Sequence, residues 1–333
     1  SPASEESSIR NAVEEIPLTL LRETAAARLE ADPETISLKR CNTGKFNTTY
    51  FVGNGPGTLV LRLAPPDDPA QNLFYEYRMM RQEPSVHQIL RQRTEAPVPE
   101  ILAHDFSHER IPRDYLLMEL LPGVPLSEHS SPGTRDLGET LFQVGAALKT
   151  VHAVHGGSYG YLGGHRPMEP QPDWTGAFAV MWNKLLDDIR RCGGYSESEA
   201  DSLRRLLDSH LGAFTRSEPS SLLHMDVWAQ NILTDERGSL TGLLDWDRAC
   251  WGDPEIEFAV LDYCGISEPA FWEGYGSRRE TDRPAQTRRL FYLLYELQKY
   301  IFIRRVRGRN PALAERYRLQ ALELASSALG LRP

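Results

Sequence analysis

Apolar residues recur at helical spacing from Ile16 to Glu30, a stretch rich in Ala and Leu, and the Asp32-Pro33 pair then marks a turn. From there the pattern becomes one of short extended runs. Ser37–Cys41 and Thr48–Val52 flank a polar loop, Asn54-Gly-Pro-Gly57 reads as a hairpin turn and Thr58–Leu63 as the next strand, which predicts a three-stranded meander. Helical spacing returns from Leu73 to Gln92, where Pro84 either starts a second helical segment or kinks the first. Glu100–Asp105 and Tyr115–Leu120 are the next strand candidates, and Leu121-Pro-Gly-Val-Pro125 breaks regular structure as an inter-lobe linker would. Downstream the spacing is mostly helical, with stretches at Asp136–His152, Trp174–Arg191, Glu197–Phe214, Thr287–Arg307 and Ala312–Ala328. One gap among them is β-like: Leu222-Leu223, Ile232-Leu-Thr234 and Leu240–Leu244 are short apolar runs.

This pattern predicts an α+β chain of two unequal lobes: residues 1–120 as a β-rich lobe with a leading helix, residues 121–333 as a mostly helical one. At 333 residues each lobe can bury its own core without disulfide or metal staples. The four cysteines, Cys41, Cys192, Cys250 and Cys264, form no Cys-x-x-Cys pair and no His cluster accompanies them, so they read as reduced structural thiols. No apolar run is long enough to span a bilayer. The first residues, Ser1 to Ser8, lack both an initiating Met and a secretory pattern; they read as a disordered tail or a cloning remnant, with a cytoplasmic location as the default. A net charge of -9 argues against a general nucleic-acid surface. It either attracts a cationic small molecule or simply keeps the protein soluble. Nothing in the pattern fixes an oligomeric state.

Candidate chemistry lies in the β-like gap. His224-Met-Asp226-Val-Trp-Ala-Gln-Asn231 is followed by Leu243-Leu-Asp245-Trp-Asp247, so an Asp, an Asn and a second Asp all fall at the edges of apolar strands. Magnesium-assisted phosphoryl transfer needs such groups: a carboxylate to take the proton of an attacking hydroxyl, here Asp226, and oxygen donors for Mg2+, here Asn231 and Asp245. Taken singly, each is equally an ordinary turn former.

With these motifs the chain, from about residue 17 to 330, resembles the aminoglycoside phosphotransferase family, the protein-kinase-like group that also contains choline, fructosamine and macrolide kinases. Leu223 through Asn231 is similar to that family's catalytic loop, and Gly242 through Pro254 to its metal-binding strand and following turn. Family members usually carry Gly where this chain has Met225, a position at which Gly reaches backbone conformations that Met resists. Trp228 is similar to fructosamine kinases, while the Asp245-Trp-Asp247 and Gly252-Asp-Pro254 runs are closer to the antibiotic kinases.

The resemblance implies a two-lobed protein-kinase-like fold with ATP between the lobes; nothing in the hinge excludes GTP. It makes His224 a brace for the loop, Asp247 and Asp253 supporting residues, and places Glu257 where the family often has Asp. The loop Asn42-Thr-Gly44-Lys45-Phe46-Asn47-Thr48 resembles the nucleotide-positioning loop, with Gly44, Asn47 and Thr48 as its contacts; Phe46 after Lys45 rules out a Walker motif. Arg62 stands at the phosphate-binding position of the third strand, with Glu83 as its carboxylate partner and Glu76 in reserve. Met118, Glu119 and Leu121 resemble the adenine-contacting hinge, though the same residues would also suit an ordinary core strand ending in a turn.

The acceptor would be a small hydroxyl-bearing molecule, cationic if the acidic residues attract it, with an aminoglycoside or another antibiotic favoured. The stretch from Pro172 to Phe214 would build part of its pocket, with Asp173, Trp174, Asp187, Asp188, Asp262 and Tyr263 as contacts. Two other readings stand beside it: a metabolic kinase acting on a sugar, choline-like amine or ketosamine, and a non-catalytic nucleotide-binding module.

Overall fold

The computed structural model describes residues 15–44, 46–55, 57–129 and 137–332; Ser1 to Ser8 and Lys45 lie outside the described residues. The N-terminal region is built on a five-stranded antiparallel sheet. Its strands are β1 (Ser37–Cys41), β2 (Thr48–Gly53), β3 (Thr58–Leu63), β4 (Ile101–Asp105) and β5 (Tyr115–Glu119), in the order β1-β2-β3-β5-β4. Alternation along β2 and β3 puts Tyr50, Val52, Leu61 and Leu63 on one face, where helix α1 (Leu18–Leu29) covers them with Leu21, Ala25 and Ala26. The opposite face packs Leu116 and Met118 against Met80 and Ala64.

Only part of the helix expected from Leu73 to Gln92 forms. Residues 79–82 make a 3-10 turn, and helix α2 (Glu83–Arg93) begins at Glu83 with Pro84 in its first turn, where its missing N–H costs no hydrogen bond. The upstream residues fail to continue the helix because Arg78 sits at φ +58°, held there by two hydrogen bonds to Asp67, and the Leu73 N–H turns back to the Glu76 carboxylate. Apolar spacing alone could not distinguish this irregular, buried segment from a helix, since Leu73, Tyr75, Met79 and Met80 are buried either way.

The linker segment enters the second region sooner than its Pro-Gly content suggests. Val124–Pro125 forms a short strand, β6, that pairs with a later strand of the large lobe. The helices that follow are α3 (Leu137–His152), α4 (Trp174–Arg191), α5 (Glu197–Asp208), α6 (Pro254–Tyr263), α7 (Pro269–Tyr275), α8 (Arg283–Phe302) and α9 (Pro311–Leu329). Glu197–Phe214 and Thr287–Arg307 each end differently from a continuous helix: the first finishes in a 3-10 turn at 211–214, the second in a π turn at 303–307. Helix α7 was hidden by its length of seven residues. It crosses α3 closely enough that a Cβ on Gly145 would lie 2.1 Å from the Phe271 carbonyl oxygen.

Between α5 and α6 lie β7 (Ser221–Leu223), β8 (Ile232–Thr234), β9 (Leu240–Leu243) and β10 (Cys250–Gly252). β8 pairs with β6 and β9, and β10 pairs with β7. Two buried clusters hold this lobe, one centred on Trp174, Phe178, Trp182, Phe291 and Tyr292, the other on Leu148, Trp246, Leu261 and Phe271. The short strands run through both clusters, so the loops at their ends are fixed by packed apolar residues.

Candidate active site

The loop after β7 is shaped by hydrogen bonds to its own backbone. The Asp226 N–H donates to His224 Nδ1 at 3.0 Å, which puts the ring proton on Nε2, and Nε2 donates to the Leu244 carbonyl at 2.7 Å. Behind it, the buried Glu257 carboxylate accepts the N–H groups of both His224 and Met225 at 2.8 Å through Oε1, while its Oε2 meets His152 Nε2. Burial opposes the Glu257 charge, but the His152 contact and these backbone donors outweigh it and hold the carboxyl below its ordinary range. Two residues of the site sit in the left-handed region, Met225 at φ +71° and Asp245 at φ +67°.

Asn231 gives its Nδ2 to the Asp226 carbonyl at 2.9 Å, and its own carbonyl takes the Leu244 N–H at 2.9 Å. Asp226, Asn231 and Asp245 are thereby brought together on adjoining strand ends. Burial pushes the Asp226 carboxyl up to about 6, with Asp245 adding to the effect and Lys299, Arg248 and His224 opposing it. A carboxylate raised toward neutrality is a stronger proton acceptor than an ordinary Asp, yet still ionised above pH 6.

Arg62 spans the cleft between the sheet and this loop. It is 9% exposed; Nη1 donates to both Glu83 oxygens at 2.8 and 3.0 Å, and Nη2 donates to Asp245 Oδ1 at 2.8 Å with Asp247 Oδ2 at 3.7 Å. Burial works against its charge, but Glu83, Asp245 and Asp247 hold the guanidinium above its usual range. The partner of Arg62 is thus Glu83; Glu76 instead pairs with Arg307 at 2.7 and 3.0 Å. Glu83 is fully buried, and Arg62 and His87 together overcome that burial to hold its carboxyl down at about 2.

In the β1–β2 loop, Asn47 donates through Nδ2 to Asp247 Oδ2 at 3.2 Å, while its buried Oδ1 takes no hydrogen bond among the described residues. A Cβ on Gly44 would lie 2.8 Å from the Asn47 carbonyl oxygen, so the loop closes this tightly only around Gly. Thr48 opens β2 opposite Leu63. At the hinge, Met118 is buried behind the sheet and the Glu119 N–H is already bonded to the Glu100 carbonyl at 2.9 Å. The Leu121 N–H takes no backbone partner among the described residues.

The acceptor contacts expected from sequence fare differently. Trp174 is not available to a ligand: it is 1% exposed in the core and its Nε1 bonds the Tyr292 hydroxyl at 2.7 Å. Asp188 is buried too, accepting the Phe74 N–H at 2.7 Å. Asp173 caps α4 through the Gly176 N–H, Asp187 pairs with Arg204, and Asp262 is held by Arg279 at 2.8 and 3.0 Å and by Arg289. Tyr263 is exposed and stacks on Tyr300. Asp253 caps α6 and accepts the Tyr292 hydroxyl at 2.8 Å.

Asp247, a supporting residue in the sequence reading, is a direct member of the Arg62 cluster. Sequence reasoning missed other groups: Gln82 bonds the Asp247 and Ala249 carbonyls, and Glu296 and Lys299 approach the site from α8. The α8 pair did leave a signal: Glu296 and Lys299 are charged residues on a helix face with Tyr292, Tyr295 and Phe302, all buried. Among the described residues no group of three or more His, Cys, Asp or Glu is arranged to hold a metal. A zinc-type cage needs such a group, whereas Mg2+ commonly uses one or two carboxylates and completes its shell with water and phosphate. Asp245, with one oxygen on Arg62, and Asn231, whose amide nitrogen rather than its oxygen is engaged with Asp226, fit that smaller donor set.

A kinase-like sheet and helical lobe with this loop between them invites comparison with known proteins. Residues 37–291 match the sequence profile of the phosphotransferase enzyme family. The chain belongs to that family. Among similar proteins is a probable ketoamine kinase of Vibrio cholerae, 25% identical over 63% of this chain and 69% of the relative. Another is hygromycin-B 4-O-kinase of Escherichia coli, 27% identical over 50% of this chain and 47% of the relative. Of solved structures, a putative fructosamine-3-kinase from Haemophilus somnus 129PT aligns with a TM-score of 0.64 at 17% identity, covering 91% of this chain and 96% of its own. A thermostable mutant of aminoglycoside phosphotransferase APH(4)-Ia, in ternary complex with AMP-PNP and hygromycin B, aligns with a TM-score of 0.63 at 18% identity, covering 92% and 99%. These structural likenesses carry the fold, which is protein-kinase-like as the motifs implied.

Proposed function

We propose that this phosphotransferase moves the γ-phosphoryl group of ATP, with Mg2+, to a hydroxyl of a small molecule. The observation that supports the reading most is the convergence of Asp226, Asn231 and Asp245 beside the Arg62–Glu83 pair. The acceptor oxygen forms a bond to the γ-phosphorus as the β–γ bridging P–O bond breaks; ADP leaves, and the hydroxyl proton passes to Asp226. Asn231 and Asp245 would hold Mg2+, which would supply charge neutralisation on the phosphates. Arg62, fixed by Glu83, orients phosphate oxygens, and Asn47 positions the β1–β2 loop over them. The Glu119 carbonyl and Leu121 N–H would meet the purine edge, with Met118 behind it.

For the acceptor, the hygromycin relatives support an antibiotic and the ketoamine kinases a metabolite. Two of the expected acidic contacts support the metabolic reading, since Asp188 is buried on the Phe74 N–H and Asp262 is held by Arg279 and Arg289; Asp173 and Asp187 keep exposed carboxylates that support a cationic acceptor. The experiment is incubation with ATP, Mg2+ and mixed hydroxylated antibiotics and metabolites, reading phosphate gain by mass spectrometry. Asp226→Ala should lower product formation by about 10³-fold while leaving ATP binding intact. Tight ATP binding with no acceptor ever gaining phosphate would point to a non-catalytic module instead.

A further inference from the structure

Arg248 lies between β9 and β10, soon after Asp245, and is only 5% exposed. Burying a guanidinium is costly unless its surroundings replace the lost hydration, so its partners define its role. Nη1 donates to the Met225 carbonyl at 2.9 Å and to Glu296 Oε2 of α8 at 3.1 Å. The guanidinium carbon lies 4.8 Å from the ring centroid of Tyr75, which stacks in turn on Tyr161 with centroids 5.0 Å apart. The carbonyls on either side of Arg248, those of Asp247 and Ala249, both accept from Gln82 Nε2. Arg248 is thus fixed from two directions, by the segment that leads into Glu83 and by α8.

The Met225 carbonyl is the contact with a consequence for the loop. Met225 sits at φ +71°, a conformation that a residue with a Cβ keeps only where its surroundings over-determine it. Its N–H goes to Glu257 Oε1 at 2.8 Å, its side chain is buried in the cluster of Leu223 and Cys250, and its carbonyl takes Arg248 Nη1. That carbonyl shares a peptide unit with the Asp226 N–H, which donates to His224 Nδ1 at 3.0 Å. The peptide plane entering Asp226 is therefore pinned at both of its polar atoms, by Arg248 at the oxygen and by His224 at the nitrogen. Without Arg248 a buried carbonyl loses its donor, and it can find another only by turning the peptide that carries Asp226.

We infer that Arg248 is a positioning residue for the transfer step: by holding the Met225 carbonyl it fixes the peptide that carries Asp226, and so sets where that carboxylate meets the acceptor hydroxyl. Glu296 orients Arg248 and keeps Lys299 as a second partner at 2.5 Å, so Arg248 can be replaced without burying an unpaired carboxylate. The inference rests on the phosphotransferase reading above, and its test separates the two.

Two variants divide the carbonyl contact from the ion pair. Arg248→Met removes both and leaves Glu296 to Lys299, whereas Arg248→Lys keeps a cation facing Glu296 on a side chain that ends one atom short of Nη1. Both are first checked for cooperative thermal unfolding; if neither folds, Arg248 is a core residue of the fold and the inference is overturned. In a folded variant, hydrogen exchange read by mass spectrometry should be about tenfold faster over residues 223–231 while α8 keeps its native protection. Native exchange in that loop would overturn the inference whatever the acceptor is. Phosphate release from ATP to water with Mg2+ supplies the kinetic half: kcat should fall by about tenfold in both variants with KM for ATP changed by less than about threefold, because the groups proposed to hold the nucleotide are untouched. A native kcat in Arg248→Lys would reduce Arg248 to half of an ion pair, and a rise in KM that matches the fall in kcat would make its effect a general loosening; either sinks the inference. Native protein that releases phosphate no faster than Asp226→Ala would count against the phosphotransferase reading itself, and hydrogen exchange would still decide whether Arg248 holds the loop.

Discussion

Met225 holds φ +71° with a fully buried side chain, and both facts bear on what a substitution would do. The left-handed conformation costs a residue with a Cβ about 1 kcal/mol, which Gly avoids. Its side chain fills the core beside Leu223 and Cys250, so truncation leaves a hole worth about 2–5 kcal/mol. Met225→Gly and Met225→Ala should both lower the urea midpoint. The glycine variant should nevertheless be the more stable of the two, by about 1 kcal/mol, although it has lost one more carbon. An alanine variant as stable as the glycine one would show that the backbone there is unstrained. Glu83 gives a second residue-level prediction, in pH. Its carboxyl titrates near 4.5 unperturbed and at about 2 when folded. The unfolded chain therefore binds the proton first on acidification, so the stability this group contributes is complete above pH 4.5 and is lost progressively as pH falls toward 2. Chemical denaturation followed from pH 6 to pH 2 should show a shallower loss in Glu83→Gln than in the native chain, from a lower starting stability. Parallel curves would remove the buried pair from the account.

Helix α6 acts on the loop after β7 through one side chain. Glu257 collects the N–H groups of His224 and Met225, and His152 of α3, itself bonded to the Tyr275 hydroxyl of α7 at 2.7 Å, holds its other oxygen. Three helices thus set the entry to Asp226. Glu257→Ala leaves two backbone N–H donors without their acceptor inside a dry core, and should destabilise by about 3 kcal/mol and lower turnover of whatever acceptor is found. Ser196→Ala is the matched control: it breaks the capping box of α5, costs about 1 kcal/mol, and should leave turnover unchanged. If the two variants reduced turnover equally, the loop would not depend on Glu257. The sequence disclosed one half of this arrangement. Asp226, Asn231 and Asp245 could be picked out together because their spacing is local, and Glu83 was preferred to Glu76 for its spacing to Ala96-Pro-Val-Pro99; Arg62 does pair with Glu83. The strands of the small lobe were legible because their alternation and turn residues are local too. Lys299 and Glu296 were not, since each depends on how helices far apart in sequence pack. Trp174 misled for the complementary reason: an aromatic after a capping Asp looks the same whether it faces a pocket or a core, and here the core took it.

At the scale of the molecule, the small sheet and the helical lobe meet through polar contacts that converge on Asp245 and Asp247. Arg62 reaches across to Asp245, Asn47 to Asp247, and Gln82 to the Asp247 and Ala249 carbonyls, while Arg307 closes a separate clasp on Glu76 and lies 5.2 Å from the Phe46 ring centroid. A ligand bound in this cleft touches both lobes and adds to the stability of the folded state by mass action. At one hundred times its Kd it contributes about 2.7 kcal/mol, enough to raise Tm by about 5 °C in a protein of this size. The proposed magnesium role can then be read without knowing the acceptor. Native protein should show a larger Tm rise with ATP and Mg2+ than with ATP and a chelator. Asp245→Asn should keep the ATP-only rise and lose the increment due to Mg2+. Asn is the right probe because Asn tolerates the left-handed φ of +67° and its carbonyl still accepts from Arg62, so the backbone and the inter-lobe bond are retained while the charge on the metal is removed. A chelator that leaves the native Tm rise unchanged would take Asp245 out of any metal site. A rise equal in the variant and the native protein would do the same, and would leave Arg62 as the main group acting on the nucleotide.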